Sequence, residues 1–270
     1  MMKWCGGLLL ALFAVSVFAG VGPKPEYWSF WDRAAENNFG HIDQSDWNSI
    51  LKTYVVTQHS SGINRFRYAD VSKEDRKRLS AYIRSVTKID PREYRRDEQK
   101  AYWLNLYNAL AVQLVLDHYP VDSIQNIGGK GSAGPWGEKL VTVADEKLSM
   151  NDIEHRILRP IWQDHKIHFG LACASLGCPS LLPEAFTAAN VNDLLRGAGR
   201  DFINSRRGVL LENGKLKASQ MFSWYQEDFA KSETSLLKVF AHYADDRQAL
   251  YLLGFSGKID YGYDWRLNAP

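Results

Sequence analysis

Apolar residues recur at helical spacing in several stretches of this chain. Trp47, Ile50, Leu51 and Tyr54 share one face of HIDQSDWNSILKTYVVT, and Ser45 stands where a helix cap belongs. Leu79, Tyr82, Ile83 and Val86 repeat the pattern after Ser72, with Asp75 three residues on as a capping-box variant. A third helix is expected from Pro91, whose missing N–H suits a helix start, to His118, with Pro120 as its stop. Its second half, AYWLNLYNALAVQLVL, is apolar on nearly every side, which predicts a central buried helix. Tyr27 to Ala35 reads as a short helix. Ser149, with Asp152 as its partner, caps a helix over MNDIEHRIL that ends at Arg159-Pro160. Ala188–Ser205, FSWYQEDFA and TSLLKVFAHYA carry further helical patterns.

Extended structure is signalled more sparsely. LVTVADEKLS reads as a hairpin around Ala144–Glu146, and VLLENGKLKAS as another around Asn213-Gly214. Ile167–Ala172 alternates weakly and reads as a strand that runs into a loop holding two cysteines. The tail GKIDYGYDWRLNAP is aromatic and glycine-rich, and is expected to pack as an extended segment. No repeat and no compositional break divides the chain. The expectation is one α+β domain, helix-rich, with a small antiparallel sheet and a buried central helix.

The first residues have a different character. Lys3 precedes an apolar run from Leu8 to Val17, and Val17-Phe18-Ala19 puts small residues at −3 and −1. Residues 1–19 therefore read as a signal peptide and 20–270 as the mature domain, with a retained anchor as the lesser alternative. The run is shorter than the roughly 20 residues of a membrane-spanning helix, and no later stretch is long and apolar enough. Cys5 precedes the run, so it is misplaced for a lipid-carrying cysteine. A secreted or periplasmic location follows as an expectation.

Composition narrows the function classes. Hydrophobic residues make up 45% and charged residues 24%, with a formal net charge of +2. No basic run marks a nucleic-acid surface. The glycine-rich segment from Gly128 to Lys139 lacks a phosphate-loop ending and no helix follows it, so it suits the lining of a cleft better than a phosphate cradle.

Candidate chemistry concentrates in IHFGLACASLGCPSL, where His168, Cys173 and Cys178 lie close in sequence. Three explanations compete: a thiol nucleophile with its base, a disulfide, or a metal site. A thiol nucleophile needs a base and a group to orient the base. Cys173 is the nucleophile candidate, His168 the base, and Glu154 or His155 the third member. On an unbroken strand His168 and Cys173 face opposite sides, so a direct pair requires a break before the cysteine. ACASLGCP is rich in such breaks. Each residue also has a structural reading: His168 as a core histidine, Cys173 and Cys178 as a disulfide, Glu154-His155 as a surface pair. Asn105 and Asn108 lie at i,i+3 in the buried helix. They either tie down loop backbone or donate to an oxyanion. His165, His168, Cys173 and Cys178 offer zinc-type donors, but their spacing does not pair like a ribbon. No metal and no cofactor are expected.

AYWLNLYNALAV, LSMNDIEHRILRP, IHFGLACASLGCPSL, FSWYQEDF and IDYGYDWRLN, in that order, resemble the family known as domain of unknown function 547, from about Trp47 to Asn268. The resemblance implies distant kinship with papain-like and transglutaminase-like thiol enzymes. It implies a catalytic set of Glu154, His168 and Cys173. The order acid, base, nucleophile reverses the papain order and implies a rearranged or convergent site.

The leading expectation is a secreted thiol hydrolase or acyltransferase acting on a peptide or cell-envelope amide. The alternative is a non-enzymatic binding module with a structural Cys173–Cys178 disulfide and a groove lined by the aromatics, 13% of the chain. A thiol–disulfide oxidoreductase ranks last, because C-x4-C departs from C-x-x-C.

Overall fold

The apolar segment around Trp103 forms the axis of the fold. The computed structural model describes residues 22–128 and 134–270. The leader read over residues 1–19, Cys5 included, and the middle of the glycine-rich segment lie outside the described residues.

Helices α1 (Ser45–Tyr54), α2 (Lys73–Val86) and α3 (Arg96–His118) carry the first half of the chain. The apolar faces read from sequence are the buried ones in α1 and α2. Ser72 caps α2 by accepting from the Asp75 N–H at 3.0 Å. Gln44, not Ser45, is the cap of α1, and the Ser45 N–H donates to Asp43 Oδ1 at 2.8 Å. Pro91 opens a separate 3-10 turn, Pro91–Glu93, which Asp90 caps. The backbone then extends through Tyr94 and Arg95 before α3 begins. From Glu98 to Val112 every residue of α3 is buried, as an all-round apolar helix requires. The short helix expected over Tyr27–Ala35 is a single 3-10 turn, Ser29–Trp31. Strands β1 (Val55–Val56), at the end of the stretch read as the first helix, and β2 (Arg65–Phe66), in the polar HSSGINRF segment, pair antiparallel.

The hairpin of β3 (Val141–Val143) and β4 (Glu146–Leu148) turns through Ala144 and Asp145, whose φ values are 45° and 65°. Ser149 and Asp152 then form a reciprocal box. The Asp152 N–H donates to Ser149 Oγ at 3.1 Å, and the Ser149 N–H to Asp152 Oδ2 at 2.7 Å. The helix they start is π-wound over Asp152–Leu158 and continues as α4 (Arg159–Trp162). Pro160 supplies the reason. It has no N–H for the Arg156 carbonyl, and its ring crowds the preceding turn. The Arg159 N–H bonds back to Glu154 O, five residues away. The carbonyls released at His155 and Arg156 accept from Glu26 N at 2.9 Å and Trp28 N at 3.2 Å.

The strand expected over Ile167–Ala172 is instead a helical turn, α5 (Ile167–Gly170), followed by irregular chain. Periodicity cannot separate a short, fully buried apolar run into helix or strand. Here Asp164 decides: its carboxylate accepts from Lys166 N and its carbonyl from Ile167 N, while Lys100 Nζ holds the same carboxylate at 2.8 Å. The remaining elements are α6 (Val191–Ile203), β5 (Val209–Glu212), β6 (Lys215–Ser219), α7 (Gln220–Trp224), α8 (Gln226–Phe229), α9 (Glu233–Tyr243), α10 (Asp246–Gly254) and β7 (Ile259–Gly262). Asn213 and Gly214 turn the β5–β6 hairpin with φ of 51° and 74°. The tail adds β7 to β6 in parallel, so the three-stranded sheet is mixed rather than purely antiparallel.

The architecture is α+β and helix-rich, with 50% of the described residues helical. Its apolar residues form two clusters. One surrounds α3 and includes Trp31, Trp47, Trp103, Leu104 and Ile167. The other lies under the C-terminal sheet and includes Phe169, Phe202, Phe222 and Phe240. Helix α5 gives Ile167 to the first and Phe169 to the second. Among the described residues no helix is long and apolar enough to cross a membrane.

Asn105 pins α3 to a distant loop. Its Nδ2 donates to Phe186 O at 2.8 Å and its Oδ1 accepts from Phe186 N at 3.0 Å, in a fully buried setting. Asn105→Ala strips both partners, and we expect a loss of about 2–4 kcal/mol. A wild-type urea midpoint in the variant would show that the pin is dispensable.

Candidate active site

Asn108, one turn after Asn105, acts on the segment that carries the candidate chemistry. Its Nδ2 donates to Gly170 O at 2.8 Å, and its Oδ1 accepts from Ala172 N at 2.9 Å. The backbone between His168 and Cys173 is thereby fixed to α3. Both amides spend their donor and acceptor ends on backbone, so the structure puts them to work as ties. An oxyanion role is not where their bonds point. Gly170 is required at this junction, because a Cβ there would lie 2.5 Å from Leu195 Cδ2.

His168 projects from α5 into a buried box. Its ring stacks on Tyr225 at 4.4 Å between centroids and on Phe229 at 5.3 Å. Nε2 lies 2.7 Å from Asp228 Oδ2, and Nδ1 lies 3.7 Å from Glu154 Oε1. The Asp228 oxygen also accepts from Arg159 Nε at 2.5 Å. Burial pushes the Asp228 carboxyl up, but the hydrogen bonds from His168 and Arg159 outweigh it and hold it down at about 2. An ionised carboxylate only accepts, so Nε2 carries the proton in that bond. In the neutral ring Nδ1 is then the free base, turned toward Glu154.

Glu154 comes from the π-wound turn and is buried. Its charge reaches the hydroxyls of Tyr107, Tyr225 and Tyr263. Burial and then this charge push Tyr107 and Tyr225 well above the usual phenol range, so both stay protonated donors at neutral pH. His155 lies 3.9 Å from Glu154 and 3.2 Å from Arg159 Nη1. Burial pushes its imidazole down, toward the neutral form.

Cys173 sits on the loop after α5. It is joined to Cys178 in a disulfide with Cα atoms 6.0 Å apart. Cys178 is buried, whereas Cys173 is partly exposed. The Cys173 N–H donates to Cys178 Sγ at 2.9 Å. Tyr263 Oη lies 3.0 Å from Cys173 Sγ and 2.9 Å from Ser175 Oγ. Ala174 takes φ of 58°, a left-handed conformation uncommon outside glycine. The C-terminal tail clamps the loop: Leu176 N donates to Arg266 O and Gly177 N to Asp264 O, each at 2.8 Å. A Cβ at Gly177 would lie 2.8 Å from Asp264 N, so glycine permits that approach.

The structure therefore brings Glu154, His155 and His168 together, and joins Cys173 to Cys178. It does not hydrogen-bond His168 to Cys173. Tyr263 spans the interval, bonded to the cysteine and within reach of the Glu154 charge. His165 turns elsewhere, with Nε2 at 3.1 Å from Tyr243 Oη. Among the described residues no group of three or more His, Cys, Asp or Glu is arranged to hold a metal ion.

Sequence reasoning missed Asp228, Arg159 and Tyr263. Asp228 carried the same signal that singled out Glu154, an acid bordering apolar residues at helical spacing, here Tyr225 and Phe229. Tyr263 had no such signal, because its role depends on the tail folding back across the cysteine loop.

Residues 91–203 match the model of a family described as "Protein of unknown function, DUF547". The chain carries a DUF547 domain over those residues. The matched stretch holds Asn105, Asn108, Glu154, His155, His168, Cys173 and Cys178, and ends before Asp228 and Tyr263. No curated protein and no solved structure matches the chain.

Because folded Asp228 is held near 2, its contribution to stability is full above about pH 4 and is lost as pH falls toward 2. Asp228→Asn is expected to lose about 2 kcal/mol at neutral pH, with the gap to wild type closing by pH 2. A gap independent of pH, measured by denaturant titration, would refute the linkage.

Proposed function

We propose that this protein is a thiol hydrolase or acyltransferase that acts on a peptide or cell-envelope amide outside the cytoplasm. The observation that carries the reading is the His168–Asp228 pair. Asp228 fixes the ring through Nε2 and leaves Nδ1 as a base, which is the orientation a nucleophile's partner needs. That base lies five residues from a partly exposed cysteine on a clamped loop with a left-handed residue beside it. Backbone strain of this kind collects at functional sites.

In this reading the disulfide form is the resting state. A dithiol reductant supplies two electrons and two protons, leaves as its own disulfide, and frees both thiols. Cys173 gives its proton to His168 Nδ1 and attacks the amide carbonyl, forming a C–S bond. Nδ1 returns the proton to the leaving nitrogen as the C–N bond breaks. Water, losing a proton to Nδ1, then attacks the thioester carbonyl; the C–S bond breaks, Nδ1 returns the proton to the Cys173 sulfur and the acid leaves; an amine acceptor in place of water gives acyl transfer. Asp228 stabilises the imidazolium in each step. Tyr263, as a protonated donor beside the sulfur, can donate to the developing oxyanion. Glu154 lies nearest the basic nitrogen, with Oε1 3.7 Å from Nδ1.

The binding-module alternative keeps one supporting observation, the disulfide itself. Alkylation separates the two. Iodoacetamide should label Cys173 only after reduction in the wild type, and without reduction in Cys178→Ala. Cys173 in that variant should react faster than free cysteine at neutral pH, and Asp228→Asn should slow it. A Cys173 thiol in Cys178→Ala that reacts no faster than free cysteine would leave the binding module as the better account. For turnover on an amide substrate, once found, Cys173→Ser should abolish activity and Asp228→Asn should lower kcat on the order of 10²-fold or more.

A further inference from the structure

Two arginines beside the cysteine loop lack the partners that buried guanidinium groups require. Arg65, on β2, is 8% exposed. Its Nη2 donates to Ser61 Oγ at 3.1 Å, but its Nε and Nη1 are buried without an acceptor. Arg207, between α6 and β5, donates from Nη1 to Leu176 O at 2.9 Å and from Nη2 to Ser180 Oγ at 2.7 Å. Its Nε is also buried without an acceptor. Neither arginine has a carboxylate within ion-pairing distance among the described residues.

The two groups also repel each other. Burial and then the nearby charge of Arg65 bring Arg207 down to about 10, apart from an opposing contribution of Tyr263. Burial and then Arg266 lower Arg65. The negative charge that reaches Arg65 is Asp264, and Arg266 occupies both its oxygens, at 3.0 and 2.6 Å. Arg65 is buried and Arg207 half-buried, and like charges with idle buried donors are costly unless an anion joins them.

Their position ties them to the site. Arg207 bonds the loop that starts at Cys173, and Asn64, next to Arg65, donates from Nδ2 to Leu181 O at the far side of that loop. Arg207 lies close enough to Tyr263 for its charge to act on that hydroxyl, and Tyr263 Oη touches Cys173 Sγ. We infer that Arg65 and Arg207 form a recognition site for a carboxylate of the substrate, beside the thiol and on the cysteine-loop side. The assignment rests on the thiol reading for its meaning, but not for its detection. A carboxylate fits better than a phosphate, because Arg65 Nη2 and both Nη atoms of Arg207 already donate to the protein, so single N–H donors are left for two oxygens and a single charge. The substrate class becomes an amide whose acyl or amine part carries a free carboxylate, such as a peptide near its C-terminus or beside an acidic side chain.

The test uses the full mature chain, with N-acetylglycine as probe and uncharged N-acetylglycinamide as control, read by titration calorimetry. Saturable binding of the acid with at least ten-fold weaker binding of the amide is expected. Arg65→Gln should weaken the acid at least ten-fold, and Arg65→Lys should restore part of it. Equal binding of acid and amide to the wild type overturns the site without recourse to any variant. So does unchanged acid binding in a folded Arg65→Gln chain. Inorganic phosphate binding more tightly than N-acetylglycine overturns the carboxylate assignment. Repeating the titration on Cys173→Ser separates the two proposals. Acid binding retained there, with an unreactive Cys173 in the alkylation assay, sinks the thiol reading alone. Failure of acid binding with a reactive Cys173 sinks the anion site alone.

Discussion

One carboxylate oxygen organises the candidate site. Asp228 Oδ2 accepts from His168 Nε2 and from Arg159 Nε, residues that are 60 and 69 positions away in the chain. Three elements meet there: α8, α5 and the end of the π-wound helix. Arg159 reaches on to Pro23 O at 2.5 Å and lies over the Tyr225 ring at 4.8 Å, so the N-terminal lead-in is drawn into the same knot. An ionised group this deep survives only because two charge-capable donors and the ring stack surround it. Remove it, and the histidine loses both its tautomer and its aim.

Around that knot the chain uses backbone irregularity as a positioning device. Pro160 frees the Arg156 carbonyl, the preceding turns widen, and Glu154 is carried into the box facing His168. The released carbonyls are taken by Glu26 and Trp28, so the irregular turn is not left unsatisfied. Helix α5 lasts one turn and then gives way to a chain held by Asn108 and by the C-terminal tail. The Ala174 carbonyl accepts from Asn268 N at 3.0 Å, which adds a third clamp beside those at Leu176 and Gly177. The cysteine loop is thus held from both ends of the sequence. The same tail brings Tyr263 onto Cys173 and Arg266 onto Asp264, and Arg65 and Arg207 keep idle donors beside the cysteine loop.

Helices α1 and α2 were legible because each repeats its apolar residues at a helical period over ten or more residues, and α3 because its apolar run is too long for a strand. The two hairpins were legible because their turns need left-handed residues that the sequence marks with Asn-Gly or with a short polar break. Ile167–Gly170 was not, since a four-residue apolar run has no period to measure and Asp164 settles it from outside the run. The strand-parity objection to pairing His168 with Cys173 falls with that strand. What separates them is instead a tertiary fact: Asp228 and the aromatic stack hold the ring, and Tyr263 holds the sulfur. Asn105 and Asn108 were visible as buried amides in need of partners, but Phe186, Gly170 and Ala172 could not be read as those partners from spacing.

The sequence by itself determined the class of fold, the burial of α3 and the segment that gathers His168, Cys173 and Cys178. These depend on local period, turn stereochemistry and side-chain type, which need no knowledge of the rest of the chain. Only the tertiary structure decided which acid holds His168, which hydroxyl touches Cys173, and which arginines are left with unused donors. Each of those depends on two segments separated by tens of residues arriving within a few ångströms of each other. Such meetings are fixed by how the two apolar clusters pack around α5, and no local pattern records them.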